Sequence, residues 1–244
     1  MQNITDMIAE GKGKRLYATE NPDEAVIYYR DETFAFHGLK RGRIIGKGEI
    51  NNLICEYMFT MLTQKGVPNH FIRRIDNRCS LVKRVQIVPV VVKVRNIAAG
   101  SLSKRIGYPD GTRLRNTVIE YCLKDAELED PLVNLTHITA MGLATTEEIF
   151  RMEEISLRVN EILSECMRDI SIELIDFKLE FGRYHDELLL ADEVSPDTCR
   201  FWDARTHEPL DIDRFRRDLG DVEAAYREVL HRLTGNVLKS AEEE

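Results

Sequence analysis

Between Ile175 and Phe181 apolar and charged side chains alternate without a break, Ile-Asp-Phe-Lys-Leu-Glu-Phe, and soon afterwards the chain returns through Leu188-Leu-Leu-Ala191. A period of two marks a strand with one apolar and one polar face. The returning run has no polar alternate, so a sheet containing it is covered on both faces. The two segments predict a hairpin with its loop around Arg183-Tyr-His-Asp186. Pairing Phe181 with Glu187 sets Asp192 on the same face as Asp176, Lys178 and Glu180, and a slip of one residue destroys that arrangement. A solvated face explains the alternation taken alone. Under cover, crowded carboxylates repel unless a cation joins them, and Mg2+ commonly takes one or two carboxylates together with water and nucleotide phosphates. Glu180 and Asp192 are therefore the metal candidates.

The remaining pattern mixes strands and helices. Arg15–Thr19 and Ala25–Arg30 flank the turn-forming Glu20-Asn-Pro-Asp23, an antiparallel start. Asn51 or Asn52 is placed to cap a helix carrying Leu53, Ile54, Tyr57, Met58, Met61 and Leu62, which Gly66 and Pro68 end. The β-branched run Ile87–Arg95 is interrupted by Pro89, which predicts an edge strand or a crossover between layers. A domain boundary is expected there, dividing 1–85 from 86–244. Asn96 to Thr112 reads as loop, with Gly100, Gly107 and Tyr108-Pro-Asp-Gly111. Thr145-Thr-Glu-Glu148 is a capping box for a long helix whose Ile149, Met152, Ile155, Val159, Ile162, Cys166 and Ile170 share one face. A last helix from Asp221 buries Val222, Ala225, Tyr226, Val229 and Leu233, and the polar end from Lys239 reads as a frayed tail.

Net charge of -8 over 244 residues argues against a general nucleic-acid or membrane-surface role, because such proteins carry a basic excess. No run approaches the roughly 20 apolar residues of a membrane helix, and no signal-peptide core opens the chain, so a cytoplasmic protein is expected. Five dispersed cysteines without a Cys-x-x-Cys pair fit buried or idle thiols in a reducing compartment. Local basic clusters then stand out as phosphate sites. In Glu10-Gly-Lys-Gly-Lys-Arg15, Gly11 and Gly13 permit close backbone approach while Lys12 and Lys14 supply charge, although a plain Gly-Lys turn explains the stretch equally. In Arg95-Asn-Ile-Ala-Ala-Gly-Ser101 an arginine, the backbone at Gly100 and the Ser101 hydroxyl suit a second phosphate, with a solvated loop as the alternative. From these residues alone the chain is a phosphate-binding α+β protein. A small-molecule kinase and a nucleotide-binding regulatory module stay open.

In this order the segments EGKGKRLY (10–17), GKGEINN (46–52), IVPVVVKVRNIAAGSLSKR (87–105), LIDFKLEFG (174–182) and LLLADEVSPDTCRFWD (188–203) resemble the SAICAR synthetase family over nearly the whole chain. The resemblance implies an ATP-dependent ligase that joins carboxyaminoimidazole ribonucleotide (CAIR) to L-aspartate. It implies an α+β fold, with an N-terminal antiparallel sheet like that of kinase nucleotide domains and the ATP site between two domains, and a homodimer. It also implies roles: Lys12, Gly13 and Lys14 meet ATP phosphates; Gln86, Ile87 and Val88 border the adenine; Lys124 lies near the nucleotide. Glu180 and Asp192 hold Mg-ATP, Arg95, Ser101 and Arg200 grip the ribonucleotide phosphate, and Lys178 points into the reaction centre with Asp176 beside it. Two departures from the family pattern are His37, where an acid or its amide is usual, and Val91, where glutamate is usual, with Lys93 nearby in place of an apolar residue.

Overall fold

The computed structural model describes residues 4–35 and 39–235. His37 and the tail from Lys239 lie outside them. The chain opens with β1 (Ile4–Glu10), β2 (Lys14–Thr19) and β3 (Glu24–Tyr29), then the small hairpin β4 (Glu32–Ala35) and β5 (Lys40–Arg43). Helix α1 (Lys47–Gln64) leads to β6 (Phe71–Arg74) and β7 (Cys79–Lys83). The first sheet runs β1-β2-β3-β7-β6, antiparallel throughout. The predicted turn joins β2 to β3, but β1 went unread because its Ile4-Thr-Asp-Met-Ile-Ala-Glu10 lacks a clean period.

After Lys83 the chain leaves this sheet for a second one. It comprises β8 (Gln86–Ile97), β9 (Arg113–Leu123), β10 (Leu132–Val133), β11 (Ile172–Tyr184), β12 (Glu187–Ala191) and β13 (Cys199–Asp203). The order is β10-β9-β8-β11, and the far edge of β11 is shared by β13 along its first half and β12 along its second. The helices of this half are α2 (Ser101–Ile106), α3 (Leu135–Ala140), α4 (Thr146–Asp169), α5 (Asp213–Arg216) and α6 (Val222–Thr234). The fold is α+β, and none of its described helices is long and apolar enough to cross a membrane.

One continuous core joins the two sheets. It takes Ala25 and Ile27 from β3, Ile54, Met58 and Phe59 from α1, Val88 to Val94 at alternate positions of β8, the inner face of α4, and Tyr226 and Val229 of α6. On β11, Phe177, Leu179 and Phe181 enter this core while Asp176, Lys178 and Glu180 point to the opposite face, as a period of two demands. Both faces of β11 are largely covered, as the apolar return run predicts.

Several expectations are corrected. The helix predicted from Asn51 or Asn52 begins at Gly46, whose φ of 79° needs glycine. Asp31 takes over the capping by accepting from the Gly48 amide at 3.0 Å, which leaves Asn51 and Asn52 buried inside the helix. Tyr57 is exposed, and Cys55 and Phe59 take its place on the buried face. Of the two alternatives at Pro89 the crossover holds, since the chain passes from the first sheet to the second between β7 and β8, but the strand is central and not an edge. The proline is tolerated at a bulge, since Glu180 opposes Val91 but Gly182 opposes Ile87, so no ladder bond needs its missing N–H. The stretch 96–112, read as loop, contains α2. By contrast the Thr145 and Glu148 capping box opens α4 as predicted, with both reciprocal bonds formed. All five cysteines are free, and all but Cys166 are buried.

The hairpin register also differs. Phe181 pairs with Leu190, not Glu187, because β11 continues to Tyr184 and the turn is only His185-Asp186, with His185 at φ 51°. That shift of three residues is odd and would swing Asp192 to the far face if β12 continued. Instead β12 ends at Ala191, and Asp192 adopts a left-handed φ of 62° that redirects its carboxylate.

Candidate active site

The charged face of β11 is the floor of a cleft. In register beside it on β8 lie Arg95 opposite Asp176, Lys93 opposite Lys178 and Val91 opposite Glu180. Strands rise about 3.3 Å per residue, so Asp176 and Glu180 stand about 13 Å apart with Lys178 midway.

At one end two arginines close on Asp176, which is 8% exposed. Arg95 Nη1 donates to Asp176 Oδ2 at 2.9 Å, and Arg200 Nη1 donates to Oδ1 at 2.7 Å. Each arginine has a further carboxylate: Arg95 Nε reaches Glu120 at 2.6 Å and Arg200 Nε reaches Asp213 at 2.7 Å. Arg95 Nη2 also donates to the Ser101 hydroxyl at 3.1 Å. Gly100, at φ 56°, passes so close that a Cβ there would sit 2.9 Å from Arg200 Nη2. Arg200 is thus brought together with Arg95, Gly100 and Ser101 of the segment 95–101. A cavity of about 180 Å³ opens beside them, also lined by Lys93, Lys178, Asp197 and Arg216. Behind it Asp211, wholly buried, accepts from the amides of Phe201 and Asp213. Burial and the neighbouring Asp213 push its carboxyl up to about 7.

At the other end is the Gly-Lys turn between β1 and β2, closed by the Gly11 amide donating to the Lys14 carbonyl at 2.8 Å. Lys12 is exposed, whereas Lys14 turns inward and pairs with Asp192 and, at 2.8 Å, with Glu193. Burial alone opposes charge on Lys14, yet the two carboxylates raise its ammonium above the ordinary lysine range. Burial likewise disfavours ionised Asp192, but Lys14, Lys178 and Lys124 overcome it and hold the carboxyl well below its usual value. Lys124 pairs with Glu180, and its backbone amide donates to the Pro89 carbonyl at 3.0 Å, which ties Glu180 to the start of β8. There Gln86 and Ile87 are exposed, whereas Val88 is wholly buried in the core. His70, buried behind this end, is held neutral by burial, its imidazole lowered to about 4.

Lys47, Glu193, Asp197, Asp211, Asp213 and Arg216 belong to this constellation and were not singled out from the sequence. Lys47 is 1% exposed and pairs with Asp197 at 2.6 Å, and Tyr226 donates to the other Asp197 oxygen at 2.5 Å. Burial disfavours the Asp197 charge, but Lys47 and Tyr226 bring its carboxyl below the usual range. The available signal was the run Asp192-Glu-Val-Ser-Pro-Asp197, acids in a loop directly after a covered strand. Asp176, expected beside Lys178, is two residues from it on the same face of β11, and its oxygens accept from Arg95 and Arg200.

The SAICAR synthetase family profile matches residues 7–233. A Clostridium perfringens protein named phosphoribosylaminoimidazole-succinocarboxamide synthase is 51% identical over 233 residues, covering 96% of this chain and 99% of that protein. The crystal structure of the Ehrlichia chaffeensis phosphoribosylaminoimidazole-succinocarboxamide synthase superposes with a TM-score of 0.93 at 43% identity, covering 95% of this chain and all of the other. A SAICAR synthetase solved in complex with ADP superposes with a TM-score of 0.91 at 41% identity, covering 93% of this chain and 97% of that one.

Proposed function

The chain belongs to the SAICAR synthetase family, and from that membership we propose how its cleft carries out the family reaction. It is an ATP-dependent carbon–nitrogen ligase of purine biosynthesis, joining CAIR to L-aspartate to give SAICAR, ADP and phosphate. The observation that carries the assignment of roles is the arrangement along β11, with an arginine clamp at Asp176, a lysine-and-carboxylate cluster at Glu180 and Lys178 between them.

A carboxylate resists attack by an amine because its charge repels the nucleophile and an oxide anion is a poor leaving group. In the proposed order a CAIR carboxylate oxygen attacks the γ-phosphorus of ATP and ADP leaves. The α-ammonium of L-aspartate loses a proton to solvent, and the resulting amine attacks the acyl carbon. As the C–O bond to the phosphorus-bearing oxygen breaks, phosphate departs with that carboxylate oxygen and the second amine proton is released. The protein contributes position and charge. Lys12 and Lys14, with the backbone at Gly13, hold the ATP phosphates, Gln86 to Val88 border the adenine, and Lys124 lies beside the nucleotide. Arg95, Arg200, Ser101 and the Gly100 backbone hold the ribonucleotide phosphate, and Asp176 sets the spacing of the two guanidiniums. Lys178 neutralises charge on the reacting carboxylate. In this arrangement the two sheets, within 1–85 and 86–244, are the walls of the cleft.

Glu180 and Asp192 suit Mg2+: both offer carboxylate oxygens, both already attract a cation in Lys124 and Lys14, and Mg2+ asks for few protein ligands when phosphates supply the rest. Bound there, Mg2+ would offset the negative charge of the ATP phosphates. We further propose a cytoplasmic homodimer, for which light scattering should give twice the 28.2 kDa chain mass. The order of steps is tested by placing 18O in the CAIR carboxylate. The label is expected in the released phosphate, and its absence there would exclude an acyl phosphate.

A further inference from the structure

L-Aspartate brings the one cationic group in the reaction, its α-ammonium, while CAIR and ATP bring only anions to a cleft dominated by Lys93, Arg95, Lys178, Arg200 and Arg216. That ammonium needs an acceptor. Three carboxylates line the cavity, Asp176, Asp197 and Asp211. Asp176 is taken by Arg95 and Arg200, which bond both of its oxygens. Asp211 has no exposed surface and accepts from the Phe201 and Asp213 amides at 2.8 and 2.7 Å. Asp197 differs from both. Its side chain is 17% exposed, and its oxygens accept one bond each, from Tyr226 and Lys47, leaving a lone pair on each oxygen.

Its position fits the chemistry as well. Asp197 Oδ2 lies 3.5 Å from where a Cβ on Gly13 would stand, so the carboxylate borders the Gly-Lys turn. The next residue, Thr198, accepts from the Lys178 amide at 3.0 Å, which fixes this segment to the centre of the floor. Asp197 therefore sits where the nucleotide end and the ribonucleotide end meet. Lys47 lies beneath it at 1% exposure with its charge opposed by Asp197 and by the nearby Glu193, and Tyr226 sets the rotation of the carboxylate.

Resting on the ligase reading above, we propose that Asp197, held in place by Lys47 and Tyr226, is the subsite for the α-ammonium of L-aspartate and brings that nitrogen to the reacting carboxyl of CAIR. Lys47 and Tyr226 are positioning residues, since they act through Asp197.

The test is steady-state kinetics of Asp197→Asn with each substrate varied, together with inhibition by succinate, which is L-aspartate without its amine. A charge-assisted hydrogen bond predicts a rise of about 10- to 100-fold in KM for L-aspartate, with KM for CAIR and ATP and Ki for succinate each changed by less than about threefold. Because Asp197→Asn leaves Lys47 without its partner, the double variant Lys47→Met with Asp197→Asn removes both charges and should show the same selective loss. The proposal is overturned if KM for L-aspartate stays within about threefold of wild type, or if succinate is weakened as much as L-aspartate. Wild-type ADP release that does not need L-aspartate would instead overturn the ligase reading itself.

Discussion

Replacing Asp176 with asparagine removes the charge that holds Arg95 and Arg200 together while keeping the shape of the side chain. Asp176 is 8% exposed and receives Arg95 at 2.9 Å and Arg200 at 2.7 Å. Deleting one partner of a buried ion pair costs about 3–5 kcal/mol. Here each arginine keeps a second carboxylate, Glu120 for Arg95 and Asp213 for Arg200, and the asparagine oxygen still accepts. The expected loss is therefore smaller, about 2–3 kcal/mol, or roughly 4–12 °C in Tm for a chain of this size. Circular dichroism melts and urea titrations of the two proteins measure it. With the clamp loosened, KM for CAIR should rise at least about tenfold while KM for ATP holds, because the phosphate-gripping arginines are displaced and the Gly-Lys turn is not. A variant within about 0.5 kcal/mol of wild type, with unchanged KM for CAIR, would refute the clamp.

Lys178→Met should separate from this, with kcat lowered by about 10²–10³ and little change in Tm, because the charge is proposed to act on the reacting groups; single-turnover ADP formation checks it. Gly100→Ala forces a Cβ to 2.9 Å from Arg200 Nη2 at a φ of 56°, so it should cost about 1–3 kcal/mol by urea titration and raise KM for CAIR. His70 is held from the ordinary 6.5 down to about 4 by burial, so its contribution is present above pH 6.5 and lost as pH falls toward 4. Between pH 7.5 and 5.0 wild type should lose about 2 kcal/mol relative to His70→Phe, measured as the difference between paired urea titrations, which cancels groups common to both such as Asp211.

What was legible in the sequence was what depends on near neighbours. The Thr145 capping box, the β2–β3 turn and the alternation on β11 are set by residues a few positions apart, and all three appear as read. The hairpin register was missed by three because a turn of His185-Asp186 carries no glycine to announce it. Asp192 nonetheless reaches the cation cluster, through a left-handed backbone rather than by strand alternation. Burial of α1 began earlier than read because its cap comes from Asp31, which is remote in sequence from Gly48. Lys47 was invisible for the same kind of reason: its partner Asp197 is 150 positions away, and no local pattern marks this lysine as buried.

The central claim is that one cleft couples ATP cleavage to amide formation between CAIR and L-aspartate. Its most direct test is ADP release with ATP, Mg2+, CAIR and L-aspartate, each omitted in turn, with the products separated by chromatography. Stoichiometric ADP, phosphate and SAICAR are expected only in the complete mixture. Sustained ADP release lacking either CAIR or L-aspartate, or a stable phosphorylated product in place of SAICAR, would contradict it.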